Sequence, residues 1–461
     1  MKGSRSLILS VGLLMGIGFS AWAQVSNSLY FMQGVPQSNR VNPAYQPNCR
    51  WYIGIPLLAP IRVEGSSNSY AYEDIIYPYP GEDSLITFLH PLGDKEAFLD
   101  KLKSSNYVLS DVGSALISFG FLTEVGFFSV DVTSRFDGNV YFPGDLARLL
   151  IDGAEDGKSY QLDGLATELM AFDEVSVAWS GAILDKLRVG VRGKMIFGIG
   201  DLATTSSDLT LNTSQENWLL QSDMVFKASL PFADVSYDEE GRIENITLKD
   251  EIRNLDPWAL PKYAFNIQNF GLGVDLGVEY RPMDNLSLSA SLLDLGYVKW
   301  KDEVHEVAYT TSYDFPGFEI DPLEIREDFT LGEFLDSTFS QMGYSLYHIT
   351  EFTPGGVYSR RLNTKLYVGA SYDLTPKINL GLLSRTDFLS QSVTEQITAS
   401  ANFAVNRWLN LTLSYSYINS YFKNIGGGLS IRSGPVNMYL ISDNALNILF
   451  CPQETRAVNV W

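Results

Sequence analysis

Apolar and polar residues alternate with a period of two through much of this chain. Leu366, Val368, Ala370 and Tyr372 alternate with Tyr367, Gly369, Ser371 and Asp373. A Thr375-Pro376-Lys377 turn leads into Ile378, Leu380 and Leu382. That pattern predicts a strand, a tight turn and a second strand. Ile397–Phe403 and Leu411–Tyr417 repeat it, and Gly426–Arg432 and Val436–Ser442 continue it. Further back, Val274–Arg281 and Leu286–Leu292 flank a Pro282-Met283-Asp284-Asn285 turn. Leu187, Val189, Val191, Met195 and Phe197 form an apolar row against Arg188, Arg192 and Lys194. Ser114–Phe121, Val125–Phe136 and Glu174–Ile183 are fainter strand signals.

A soluble β-sandwich would give the same alternation, so length decides. The segments run about ten residues, which is what a tilted membrane strand needs, against about five or six in soluble sheets. Short turns alternate with longer links such as Phe388–Glu395, and Trp300, Trp408, Tyr415, Tyr417 and Tyr421 fall near strand ends. The expected fold is all-β: a transmembrane antiparallel barrel of about 14 strands, at roughly 25–30 residues per strand and link. Helical spacing interrupts it at Asp94–Ser105 and Pro143–Asp152. Ser236–Trp258 and Asp321–Phe339 read as extramembrane insertions or lumen plugs.

The first residues add a route. Lys2 and Arg5 precede an apolar run, Leu7–Phe19, and Ala21-Trp22-Ala23 offers a small-x-small cleavage site. This is the layout of a secretory signal peptide over residues 1–23, so that a single outer-membrane barrel domain spans 24–461. Gln24–Pro47 is expected to plug the lumen or lead into the first strand. The expected location is the outer membrane of a Gram-negative bacterium, with outer-membrane lipid as one partner.

Composition narrows the partners. A formal charge of −21 disfavours nucleic acid, whose phosphates need a basic surface. The chain is 13% aromatic, yet its mean hydropathy is −0.01, the average that alternation produces. Charges on the lipid face cost about 2–4 kcal/mol at mid-depth, so strand charges should point inward. By that parity Arg188, Arg192, Lys194, Asp275, Glu279, Asp373 and Arg385 are candidate lumen residues. They form either an internal salt-bridge network or a polar pathway for a solute. Cys49 and Cys451 flank the first and last strands and either pair across the seam or are both unpaired.

No catalytic pattern emerges, and no cofactor or metal site is expected. His90, His305 and His348 lie in no metalloprotease or nucleophile-elbow context. His348 in Ser345-Leu346-Tyr347-His348 is the nearest approach to an outer-membrane hydrolase. Gly426-Gly427-Gly428 lacks the Lys-Ser/Thr of a phosphate loop, and the acidic runs Asp238–Glu240 and Glu324–Asp328 lack calcium-loop spacing.

Three patches resemble Bacteroidetes outer-membrane proteins. Gly34–Tyr45 looks like an opening in which an Asn42-Pro43-Ala44 segment enters the first strand. Leu293–Trp300 is similar to a strand end of the pattern Asp-Leu-Gly-aromatic. Asn437–Leu449 looks like the penultimate strand and its loop. Together they resemble an uncharacterised Bacteroidetes barrel family, distantly similar to FadL-like fatty-acid channels and to PorV and PorP/SprF-like proteins of type IX secretion. The resemblance implies a channel for a small or hydrophobic ligand, or alternatively a non-transporting scaffold that binds envelope protein partners. One departure is the short stretch Arg456–Trp461, where such chains end in a full strand; an unpaired edge in lipid would cost several kcal/mol per group.

Overall fold

The computed structural model describes residues 27–460 apart from 33, 55–60, 80–83, 216, 238–242, 255, 316–350, 419–420, 435 and 445–456. The expected signal peptide, Asp321–Phe339, Glu324–Asp328, Asp238–Glu240, His348 and Cys451 therefore lie outside the described residues, as does the end of Asn437–Leu449.

In chain order the strands begin with β1 (Trp51–Gly54), β2 (Ile61–Ser67), β3 (Ile76–Pro78), β4 (Leu85–Thr87), β5 (Ser105–Thr123), β6 (Gly126–Pro143), β7 (Ser159–Gln161), β8 (Ala166–Leu184) and β9 (Leu187–Thr213). There follow β10 (Trp218–Ser229), β11 (Ala233–Tyr237), β12 (Ile243–Leu248), β13 (Phe270–Met283), β14 (Leu286–Trp300), β15 (Val304–Phe315), β16 (Glu351–Pro354) and β17 (Tyr358–Arg361). The remainder are β18 (Thr364–Thr375), β19 (Ile378–Phe388), β20 (Val393–Ala404), β21 (Leu409–Ile418), β22 (Tyr421–Ser433), β23 (Val436–Ser442) and β24 (Ala457–Val460).

One antiparallel sheet of 20 strands holds all of these except the small β3–β4 and β11–β12 pairs. Both β1 and β2 pair with β5, and the wall then passes through β6, β8, β9, β13, β14 and β18. From β18 each strand pairs with its successor as far as β23. The last strand, β24, pairs with β2 through Val63↔Val460 to Ser66↔Ala457, so the end of the wall meets its beginning. The short final stretch thus does form a closing strand. Elements outnumber the expected fourteen partly because staves are split: β1 and β2 share one partner, as do β17 and β18 on β14.

Sheet length explains the rest of the excess. At about 3.3 Å per residue, the 27 residues of β9 reach roughly 90 Å, far beyond an apolar band of about 25 Å. Its first half pairs with β13 inside the wall, and its second half pairs with β10. β10 pairs with β15 and β15 with β16, extending the sheet beyond the barrel at one end.

The wall is apolar outside and polar inside. Along β21, Leu411, Leu413 and Tyr415 are exposed while Thr412, Ser414 and Ser416 are buried. Along β20, Val393 and Ile397 are exposed while Thr394, Gln396, Thr398 and Ser400 are buried. A sandwich in water buries the opposite set. Two-residue links join β5 to β6, β8 to β9, β13 to β14 and β18 to β19, and all lie at one end of the barrel. Longer links occupy the other end, including a helix, Gly144–Asp152, where helical spacing predicted one. The other predicted helix shortens to Lys95–Leu99, with Asp94 capping the Ala97 N–H at 2.9 Å. Ser236–Trp258, expected as an extramembrane insertion or lumen plug, holds the end of β11, then β12, which pair in a small sheet of their own, and a helical turn, Asp250–Arg253.

Candidate functional site in the barrel lumen

Ahead of β1, residues 27–45 run across the inside of the wall. Asn27–Phe31 and Pro36–Arg40 are single turns of 3-10 helix. Both are too short for α-helical propagation, and Pro36 sets the first dihedral of the second. Leu29, Tyr30, Phe31, Met32, Val35, Val41 and Tyr45 are buried in one cluster with Leu293 of β14, Tyr367 of β18, Leu383 of β19 and Ile441 of β23. Tyr30 stacks on Tyr367 at 5.5 Å and meets Phe31 and Tyr45 edge-on at 5.1 and 5.3 Å.

The backbone and polar side chains of this segment find wall partners on many sides. The Asn27 N–H donates to Asp443 Oδ2 at 2.5 Å, and Asn27 Nδ2 donates to Gln396 Oε1 at 2.9 Å. Ser28 Oγ donates to Ser414 Oγ at 2.7 Å. Asn42 Nδ2 donates to the Val278 and Ala290 carbonyls, and the Tyr45 hydroxyl to Ser289 Oγ at 3.0 Å. Space for the backbone comes from two wall glycines. A Cβ at Gly190 of β9 would strike the Pro43 backbone, and one at Gly277 of β13 would strike Asn42. The Asn42-Pro43-Ala44 segment thus packs on the lumen wall, well ahead of β1.

Beside this segment lies a cavity of about 70 Å³, lined by charged side chains. Lys194 Nζ sits 2.6 Å from Asp294 Oδ1 and 2.8 Å from Asp275 Oδ1. Arg135 Nη1 donates to Asp294 Oδ1 at 2.9 Å, and Glu174 lies within 3.7 Å of both cations. Arg192 lies between Asp131 and Asp275, and Arg40 of the N-terminal segment donates to Asp131 at 2.6 Å. Lys365 pairs with Asp111 at 2.8 Å. Each buried ion costs several kcal/mol to desolvate, so the cluster is stable only because most cations face more than one carboxylate. Asp294 reaches its position through a break in the β13–β14 register and a left-handed backbone, φ 59°.

Further pairs continue along the lumen. Arg385, 1% exposed, joins Glu64 at 3.2 Å and Asp387 at 2.7 Å. Arg360 joins Asp201 at 2.7 Å and Glu168 at 3.5 Å. Near the short-turn end, Glu279 takes Arg188 and Arg281, each at 2.8 Å.

Of the residues selected by parity, Arg192, Lys194 and Asp275 come together in the central cluster, Arg188 and Glu279 pair with each other, and Arg385 sits in its own group. Asp373 stands apart, exposed at the end of β18 and held by Asn379 Nδ2 at 2.8 Å. Parity missed Asp131, Arg135 and Asp137, which share one face of β6 and were legible from it. Asp294 was not legible, because its direction depends on the register break. Lys365 shares the inward parity of Asp373 on β18 and was legible from it as well, whereas Glu64 and Arg40 needed the tertiary arrangement.

Cys49 carries a free, half-buried thiol. His90 Nδ1 accepts the Leu92 N–H at 3.2 Å, and His305 Nδ1 contacts the Tyr237 hydroxyl at 2.5 Å outside the lumen. Among the described residues no group of three or more His, Cys, Asp or Glu is arranged to hold a metal.

A family model described as a family of unknown function (DUF5723) matches residues 43–443. No curated protein matches the sequence. Among solved structures, a Pseudomonas aeruginosa FadL homologue is similar at 9% identity and a TM-score of 0.40, with 91% of this chain and 87% of that chain covered. The Pseudomonas putida toluene transporter TodX is similar at 8% identity and a TM-score of 0.37, covering 92% and 89%. The translocator domain of the Neisseria meningitidis autotransporter NalP gives 8% identity and a TM-score of 0.28, covering 80% and 82%.

Proposed function

Because the chain belongs to the family of unknown function DUF5723, whose description assigns no activity, we propose its function from the lumen: an outer-membrane barrel that passes a small or hydrophobic solute, with residues 27–45 as its plug. The observation that carries this reading is the seat of the plug. It is held by side-chain hydrogen bonds and aromatic contacts to strands around the wall, at glycines that leave room for its backbone. Non-covalent contacts of this kind are reversible. The charged side chains beside the plug supply a polar lining along which a solute exchanges one hydrogen-bond partner for another. The apolar outer face supports residence in a bilayer, and the signal-like segment over residues 1–23 supports export to the outer membrane.

The test is conductance in planar bilayers. The intact barrel is expected to be closed or nearly so, and deletion of Asn27–Tyr45 to open stable ionic steps. Gly277→Val is the second variant. Its added Cβ meets Asn42, so it should raise conductance without removing any residue. Heat-modifiable mobility on gels establishes that each variant is folded. Folded variants that both stay closed would overturn the channel reading and favour a scaffold that binds envelope proteins.

A further inference from the structure

After β12, residues 256–270, the last of which opens β13, lie at the outer rim of the wall and take no part in the lumen. Three of their polar side chains, Tyr263, Asn266 and Asn269, are buried, while Lys262 and Gln268 stay exposed. Asn269 Nδ2 donates to Ser229 Oγ at 3.0 Å, and its Oδ1 accepts the Lys301 and Asp302 N–H groups. Asn266 Nδ2 donates to Asp302 Oδ2 at 2.9 Å. The buried Tyr263 donates to Glu251 Oε2 at 2.7 Å.

The apolar side chains turn outward. Trp258 is 92% exposed and Ile267 77%, and Leu260, Phe265 and Phe270 are exposed beside them. An element folded against water does the reverse. The position of the segment explains the inversion. Phe197 meets Phe265 at 5.5 Å and Phe270 at 5.8 Å, both edge-on. Phe197 ends the outward apolar row of β9 that begins at Leu187. A run of about ten residues, tilted about 45°, rises roughly 25 Å, the height of the apolar band. The exposed aromatic and aliphatic groups of this segment therefore sit where that band ends, with Lys262 among them, and are continuous with the lipid-facing wall. Amphipathic rings and lysines belong at that depth.

We infer that residues 256–270 form an interfacial collar: Trp258, Phe265 and Ile267 enter the boundary between headgroups and acyl chains of the leaflet on the long-link side, while Asn266 and Asn269 pin the segment to the barrel and Tyr263 ties it to the helical turn Asp250–Arg253. The partner is the bilayer surface itself. The inference rests on the reading of the chain as a membrane barrel and adds a contact that the wall strands alone do not make.

Spin labels test it. Ile267→Cys, Leu382→Cys on the outer face of β19 and Lys158→Cys on an exposed link are each made with Cys49→Ser and Cys451→Ser, labelled, and reconstituted in phosphatidylcholine vesicles. Relaxation by oxygen is compared with relaxation by a water-soluble nickel chelate. The Ile267 label should favour oxygen several-fold more than the Lys158 label, and less than the Leu382 label. A water-like Ile267 label beside a lipid-like Leu382 label overturns the collar and leaves the barrel reading standing. Water-like labels at both positions overturn the barrel reading, and the collar with it. An Ile267 label shielded from both relaxers marks a protein contact and also overturns the collar. Should the Ile267 variant not fold, Trp258→Phe serves instead. Lipids brominated near the headgroup should quench a smaller share of tryptophan fluorescence than in the parent, and an unchanged share would overturn the collar.

Discussion

Asp294 concentrates the tension in this lumen. Its backbone is left-handed, its side chain is buried, and its Oδ1 serves both Arg135 and Lys194. A left-handed non-glycine residue persists only where its surroundings fix it, and here two buried cations do so. Truncating it leaves those cations with Asp275, Asp111, Asp137 and Glu174 as their remaining carboxylate neighbours. Removing one partner of a buried pair costs about 3–5 kcal/mol. Asp294→Ala should therefore lower the temperature at which the barrel loses its compact gel mobility. Asp373→Ala, at an exposed strand end, should leave that temperature within error, since surface changes usually stay within about 0.5 kcal/mol. Equal effects from both variants would remove the central cluster from the account of stability.

Elements divide by face. In β19, Leu380 and Leu382 are exposed while Leu383 and Arg385 are buried, so one strand presents an aliphatic face to lipid and a cation to the lumen. Arginine on the lipid face costs about 2–4 kcal/mol at mid-depth and little near the interfaces. Leu382→Arg should thus destabilise the reconstituted barrel by that amount in a urea titration, whereas Leu382→Ile should be close to neutral. A neutral Leu382→Arg would mean that this face meets water. Period-two alternation alone makes β13, β14 and β18–β23 legible in the sequence. It underestimates β5, β6, β8 and β9, whose outer portions leave the apolar band and no longer need an apolar face.

For the molecule as a whole, closure depends on a very short strand. β24 contributes four residues, and its pairing with β2 brings the end of the wall to its start. Proline within it removes a donor and does not fit an interior strand. Val458→Pro, opposite Gly65, should abolish or strongly reduce the heat-modifiable form, while Val458→Ala should retain it. A fully heat-modifiable proline variant would show that closure does not depend on this pairing.

Alternation by itself determined that the chain is a sheet with one apolar and one polar face, because side chains on a strand must point to opposite sides. Parity also determined that Arg192, Lys194, Asp275 and Arg385 belong inside, since lipid does not accept their charge. Tertiary structure decided which of these meet. Arg192, Lys194 and Asp275 join through the registers of β9 with β13, but Asp294 joins them only through a register break, and Arg40 only through a segment that crosses the lumen. Tertiary structure also placed residues 27–45 within the wall and Trp258 outside it. Both placements depend on contacts between residues far apart in the chain, which no local periodicity records.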